Sequence, residues 1–214
     1  MKRNLTMTIG PTRQRGIGMT MILGVLAGIV VIGAVLALTA RNGSNSPLDK
    51  ANEALVGGLL SEAANMRMGF DFMQSNGVTA DNITFDKTAT TGLFHPTDGG
   101  TVEFTPPAEL LENTSASWQM RGGRFPGVGT DSGTDKVVAL AEISQSACQM
   151  INDRLYSSSS IPVLSSVDAN GSWWGSSSSV LVDLSGEAGI DGRAATCLET
   201  SDGVYVYYST LAEG

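Results

Sequence analysis

The spacing of apolar positions along this chain changes from block to block, and each change marks a different kind of element. The first block is unbroken. No charged residue stands between Arg15 and Arg41, and residues 19–40 supply 22 predominantly apolar positions. A helix of that length is about 33 Å long at about 1.5 Å per residue, enough to span a bilayer core. Residues 42–47 interrupt it with Asn, Gly, Ser and Pro. Ser46 suits a helix N-cap, Pro47 the first helical position and Asp49 the first turn, so a helix restarts there. Leu48, Ala51, Leu55, Leu59, Ala63, Met66, Phe70 and Met73 then recur at three- and four-residue steps until Asn76-Gly77 stops the pattern. Together the two segments predict one long, bent N-terminal helix. Its first half is soluble in lipid, and its second half offers one face to a core.

Residues 78–134 carry no sustained period. Short strands are expected at 83–85 and 101–104, a helical turn at 107–111, and turns at 98–100 and 121–123, where Asp or Arg precedes paired glycines. Beyond them the pattern sharpens. The run 136–143 has the continuous apolar character of a buried strand. Ser144 can cap a helix in which Cys148, Ile151 and Leu155 share a face, and 203–208 alternates as a last strand. Serine runs at 157–160 and 176–179, with Trp173-Trp174 between them, predict surface loops.

Charge divides the chain. Lys2, Arg3, Arg13 and Arg15 precede the apolar run and no acid occurs before Asp49, which places the N-terminus on the cytoplasmic side of a membrane. The whole chain carries 13 basic and 21 acidic residues; without those four the remainder has nine against 21, a net of −12. Such an acidic surface speaks against direct nucleic-acid binding, which needs clustered Lys and Arg. A secretory signal peptide has a shorter apolar core followed by a small-residue cleavage site. Here the run is longer and the small residue, Gly18, lies before it. Cys148 and Cys197 are the only cysteines and both lie beyond the expected span, where an even pair predicts a disulfide.

The stretch Gly18-Met19-Thr20-Met21-Ile22, behind a basic leader and ahead of an apolar helix, resembles the processing signature of type IV prepilins. Met rather than Phe after the glycine resembles the type IVb branch, which includes toxin-coregulated and bundle-forming pilins and the thin-pilus prepilins of conjugative elements. Near the other end, a strand, a capping Ser, a helix bearing Cys148, and Cys197 just before the last strand resemble the disulfide-bonded region of the same branch. The middle of the chain has no such match, and in pilins that position holds a variable loop.

The resemblance implies an α+β fold, with a long bent N-terminal helix, its first half membrane-spanning, packed on an antiparallel sheet with one disulfide. It implies a leader at 1–18 removed by prepilin peptidase, an anchor and assembly helix with its break at 19–46, and a globular pilin domain at 47–214. Processing would fall at Gly18 and Met19, with N-methylation of Met19; a cut at Gly16–Ile17 is the rival register. Thr20, Leu23, Gly24 and Gly28 would lie in the assembly helix, where Gly24-xxx-Gly28 permits close helix approach. The implied partners are other pilin subunits, the peptidase, and an assembly ATPase with its platform protein. The implied location is the inner membrane, then an extracellular pilus. Leu23 departs from the family, which has Glu there. That departure favours a minor or tip subunit, with a secretion-system pseudopilin as a related option. The alternative of another class is a membrane-anchored extracytoplasmic binding module with Trp173 and Trp174 as its platform.

No enzymatic constellation accompanies these features, and no cofactor or metal site is expected. His95 is the only histidine, and no CxxC pair or GK[ST] motif occurs. Residues 131–142 match a calcium loop at three acidic positions but lack its third-position ligand and its glycine, and they run into the expected strand. Asn82-Ile83-Thr84 and Asn113-Thr114-Ser115 are glycan acceptors by pattern only.

Overall fold

The computed structural model describes residues 47–129, 134–164, 182–184 and 186–214. The expected leader, anchor and break, and the Trp173-Trp174 loop with its second serine run, lie outside these residues.

Helix α1 spans Pro47–Ser75. Its buried stripe is Val56, Leu59, Ala63, Met66, Phe70 and Met73, an alternation of three- and four-residue steps that keeps one face on the core. The stripe begins later than the sequence predicts. Ala51 is exposed and Leu55 only half-buried, with Val56 taking the core position. The layer beneath reaches α1 at Glu53, whose carbonyl accepts from Arg154 Nη1 at 3.3 Å. Asp49, Lys50 and Ala51 lie before that point and face solvent. The helix ends as expected. Gly77 takes φ +91°, Gly77 N–H donates to the Gln74 carbonyl and Val78 N–H to that of Met73, which satisfies the last carbonyls.

After α1 the chain makes loops and two 3₁₀ turns, Ala80–Asn82 and Ala108–Leu110. The second turn falls where one was expected, and Gly99 N–H donates to the His95 carbonyl in the turn expected near 98–100. The two short strands do not form. Thr84 makes only an isolated bridge to Gly92, and 101–104 is irregular. Here side chains do what a ladder would otherwise do: Ile83 and Leu93 are buried in the core under α1, and Phe85 and Phe94 pack with ring centroids 4.8 Å apart.

Five strands form one sheet in the order β3-β1-β2-β5-β4. They are β1 (Gln119–Arg124), β2 (Asp135–Ala141), β3 (Val182–Asp183), β4 (Ala195–Glu199) and β5 (Tyr205–Ala212). Four of them, β1-β2-β5-β4, pair antiparallel, and the two-residue β3 joins β1 in parallel. The glycines at 122 and 123, expected in a turn, lie inside β1 opposite Lys136 and Asp135. Pairing with β2, and at Gly123 also with β3, holds them extended, a tertiary influence that outweighs local turn preference. Asp135 fixes the end of this register: its buried carboxylate accepts from Phe125 N–H at 3.1 Å and Gly214 N–H at 2.9 Å.

Strand β2 is the continuous apolar strand expected, and it is buried on both faces. Val138 and Leu140 pack with Tyr207, Leu211 and Cys197 in the core that includes the α1 stripe. Val137, Ala139 and Ala141 pack with Val206, Tyr208, Leu198, Phe125, Leu184 and Ile190 in a second core. The last strand, expected over 203–208, starts and ends later, at Tyr205–Ala212, and lies inside the sheet rather than at its edge. Helix α2, Gln145–Tyr156, follows β2 and packs against α1 and β4. The fold is α+β, with an antiparallel four-stranded core of the sheet and one disulfide.

Candidate functional site

The most constrained polar structure among the described residues lies where α2 meets β4. Ser144 caps the helix as expected. Its backbone is extended, and its Oγ accepts from Ala147 N–H at 3.3 Å. The cap fixes the phase of α2, so Ala147, Cys148, Ile151 and Asn152 point inward. Leu155, expected on that face, is instead 37% exposed. Asn152 takes the inward position one turn beyond Cys148, and Ser157, left-handed at φ 54°, ends the helix with its N–H on the Asp153 carbonyl.

Cys148 and Cys197 are joined as a disulfide across 49 residues, with Cα atoms 5.3 Å apart. By the loop-entropy argument a closure of this length contributes about 4 kcal/mol. The bond ties the first turns of α2 to the middle of β4.

Asn152 grips the same residue from one helical turn away. Its Oδ1 accepts from Cys197 N–H at 2.9 Å, and its Nδ2 donates to the Cys197 carbonyl at 2.7 Å. The carboxamide so pairs with both backbone groups of Cys197, as a neighbouring strand would. Its remaining capacity is also used: Thr196 Oγ1 donates to Oδ1 at 2.9 Å and Nδ2 donates to the Ser160 carbonyl at 3.1 Å. An amide has four such sites, and all are satisfied in a fully buried setting. Strand β4 is an edge strand, and unpaired edges invite association. At Cys197 the edge is closed by Asn152. At Glu199 it is closed by 162–164, through Glu199 N–H to the Pro162 carbonyl and Leu164 N–H to the Glu199 carbonyl, each 2.8 Å.

At the end of α2 the Tyr156 hydroxyl hydrogen-bonds the Ala195 carbonyl, and the Arg193 guanidinium carbon lies 4.6 Å from the Tyr156 ring centroid. Burial pushes the Tyr156 hydroxyl above its usual pKa, against the opposing pull of Arg193. A second polar spot lies beneath α1. Glu62 Oε2 and Trp118 Nε1 are both out of water without a hydrogen bond of ordinary geometry. Burial raises the Glu62 pKa, and the nearby indole N–H offsets part of that rise.

Of the residues singled out in the sequence, the structure brings together Cys148 and Cys197. Gly18, Met19, Thr20, Leu23, Gly24 and Gly28 lie outside the described residues, as do Trp173 and Trp174. Among the described residues no helix is long and apolar enough to cross a membrane. Among them also, no group of three or more His, Cys, Asp or Glu side chains is arranged to hold a metal ion. His95 Nδ1 accepts from Asp98 N–H at 3.1 Å, which places it in a local turn. Asn113 Oδ1 accepts from Ser115 N–H and Oγ in an exposed turn.

Sequence reasoning missed Asn152, Asp135 and the Glu62–Trp118 contact. One signal for Asn152 was present: it is a polar residue one turn from Cys148 on the helix face that carries Ile151. No family model, curated protein or solved structure matches this chain.

Proposed function

We propose that this chain is a structural subunit of a type IVb-like pilus. It enters the inner membrane as a prepilin and is cut after Gly18 by a prepilin peptidase. It is then N-methylated at Met19 and joined to other subunits through its N-terminal helix by an ATPase-driven platform. The observation that carries this reading is Gly18-Met19-Thr20-Met21-Ile22, set between four basic residues and an uncharged run that ends at Arg41. The fold supports it at a coarser level. A long helix lies on an antiparallel sheet, and it begins at Pro47, a short polar break after the apolar run in sequence. A disulfide fastens the helix after β2 to the strand before β5.

Intact mass and N-terminal sequencing of the membrane-associated protein test the proposal. The expected product lacks residues 1–18 and begins with a methylated Met19. A protein that keeps its first 18 residues in a host with an active prepilin peptidase is a plain anchored protein. A mature N-terminus at Ile17 moves the processing register.

Leu23 favours a second reading within the same class, a minor or tip subunit. A subunit inside the filament would bury its Met19 ammonium with no carboxylate from an identical neighbour, and an uncompensated buried charge costs several kcal/mol, on the order of 3–5.

A further inference from the structure

We propose that Asn152 is the positioning residue for closure of the Cys148–Cys197 bond: its carboxamide docks β4 on α2 in the register that brings the two sulfurs together before they are joined. The argument starts from the helix. Cys148 and Asn152 are four residues apart on α2 and both are fully buried, so they present a thiol and an amide on one face, one turn apart. Both address a single residue of β4. The amide takes the Cys197 N–H and carbonyl at 2.9 and 2.7 Å, while the sulfur takes the Cys197 side chain. Two bonds to the backbone of one residue fix both the position of Cys197 along α2 and the direction of its strand. Neither bond depends on the oxidation state of sulfur.

Thr196 and Ser160 make the grip specific. Thr196 Oγ1 fills the second acceptor position of Asn152 Oδ1, and the Ser160 carbonyl takes the second Nδ2 proton. A slip of β4 by one residue would take the Cys197 peptide off the amide and turn the Cys197 side chain to the other face of the sheet. It would leave the buried amide unsatisfied. The register that satisfies Asn152 is the one that pairs the cysteines.

Closure itself is ordinary exchange. With oxidised glutathione, one cysteine thiolate attacks the glutathione disulfide and releases one glutathione thiolate. The second cysteine thiolate attacks the resulting mixed disulfide and releases the other. Two electrons pass to glutathione, and the two thiol protons go to the departing thiolates or to solvent.

The test uses the full chain in non-ionic detergent, reduced and then equilibrated against glutathione buffers, with the closed fraction read by thiol alkylation and mass. Asn152→Ala is expected to lower the closure equilibrium constant by about ten-fold or more, since the reduced chain then no longer holds Cys197 opposite Cys148 and the effective concentration of one thiol at the other falls. Asn152→Asp keeps the accepting oxygen but sets a carboxylate oxygen against the Cys197 and Ser160 carbonyls, so it should lose at least as much as the alanine variant. Ile190→Ala, in the core on the opposite face of the sheet, should lower the melting temperature with an unchanged closure constant. Thr196→Val, which removes one bond to Oδ1, provides a milder variant should Asn152→Ala fail to fold, with an expected loss of about three-fold. An unchanged closure constant in Asn152→Ala, or in Thr196→Val if the alanine variant does not fold, overturns the proposal. So does an equal loss in Ile190→Ala, because the effect would then be one of general stability.

Discussion

Glu62 shows how one side chain links the packing of α1 to pH. Its Oε2 is out of water, and burial holds its pKa above the usual carboxylate value. A folded-state pKa above the unfolded one means that the fold binds the proton more tightly than the unfolded chain does. The contribution to stability is therefore full below the unfolded value, about 4.3, and is lost as pH rises through the raised folded value. Glu62→Gln removes the charge and keeps an acceptor beside Trp118. It should melt above the wild type at pH 7, and the gap should close as pH falls towards 4. A gap that is the same at both pH values would show that ionisation of Glu62 is not its cause. Two glycines of α1 make a sharper pair. A Cβ at Gly69 would lie 2.8 Å from the Gly100 carbonyl carbon and 2.9 Å from its oxygen, whereas one at Gly58 would meet nothing within 4 Å. Gly69→Ala should destabilise by about 1–3 kcal/mol through forced separation of helix and loop. Gly58→Ala should stabilise by about 0.5–1 kcal/mol through helix propensity. Chemical denaturation of the two variants checks the opposite signs.

At the scale of elements, legibility followed the number of neighbours that each segment answers to. Helix α2 was readable because Ser144, Cys148 and Ile151 state its cap and its face locally, and β2 because burial on both sides leaves an unbroken apolar run. Strand β1 was not readable. Its glycines at 122 and 123 carry no apolar alternation, and only β2 and β3 hold them extended. The two residues of β3 are too few to show a period. The α1 stripe was placed correctly from Leu59 onward and wrongly before it, since the sequence does not state where the layer beneath begins. Of the candidate site, the disulfide was legible from cysteine count and context. The amide grip was not, because a buried Asn looks like any other polar residue until its four partners are assembled in space. The two readable features of α2 differ in weight. Ser144→Ala loses the bond to Ala147 N–H and should cost about 1 kcal/mol. Cys197→Ser opens the 49-residue closure and should cost about 4 kcal/mol by the loop-entropy argument. In the same denaturation assay, a serine variant at 197 no weaker than the alanine variant at 144 would mean that the Asn152 contacts alone hold β4 in place.

At the scale of the whole molecule, the cores on the two faces of the sheet are built from residues after Pro47, and the segment Asn45–Gly214 forms one compact unit. A chain started at Pro47 should therefore fold as a soluble monomer under oxidising expression, and insolubility there would assign the α1 stripe to a partner. In the proposed filament, assembly would then be a matter for the segment before it, and Leu23 is where that proposal is most exposed to test. Met21, Ile22, Leu23, Val25 and Leu26 each bring apolar area worth about 1.5–3 kcal/mol when taken out of water. In a bilayer that area is already out of water, so transfer from lipid to a filament core gains little hydrophobic free energy. Packing and charge pairing decide instead. With Leu23 in place of an acid, repeated addition would bury one unpaired ammonium per subunit, whereas a first or tip subunit has no subunit ahead of it with which to pair. The expected result is a chain that is scarce in sheared filaments and whose incorporation rises on Leu23→Glu. If the unmodified chain is instead the dominant band, the minor-subunit reading fails, and the Met19 amine must be satisfied by backbone carbonyls or held at the membrane interface.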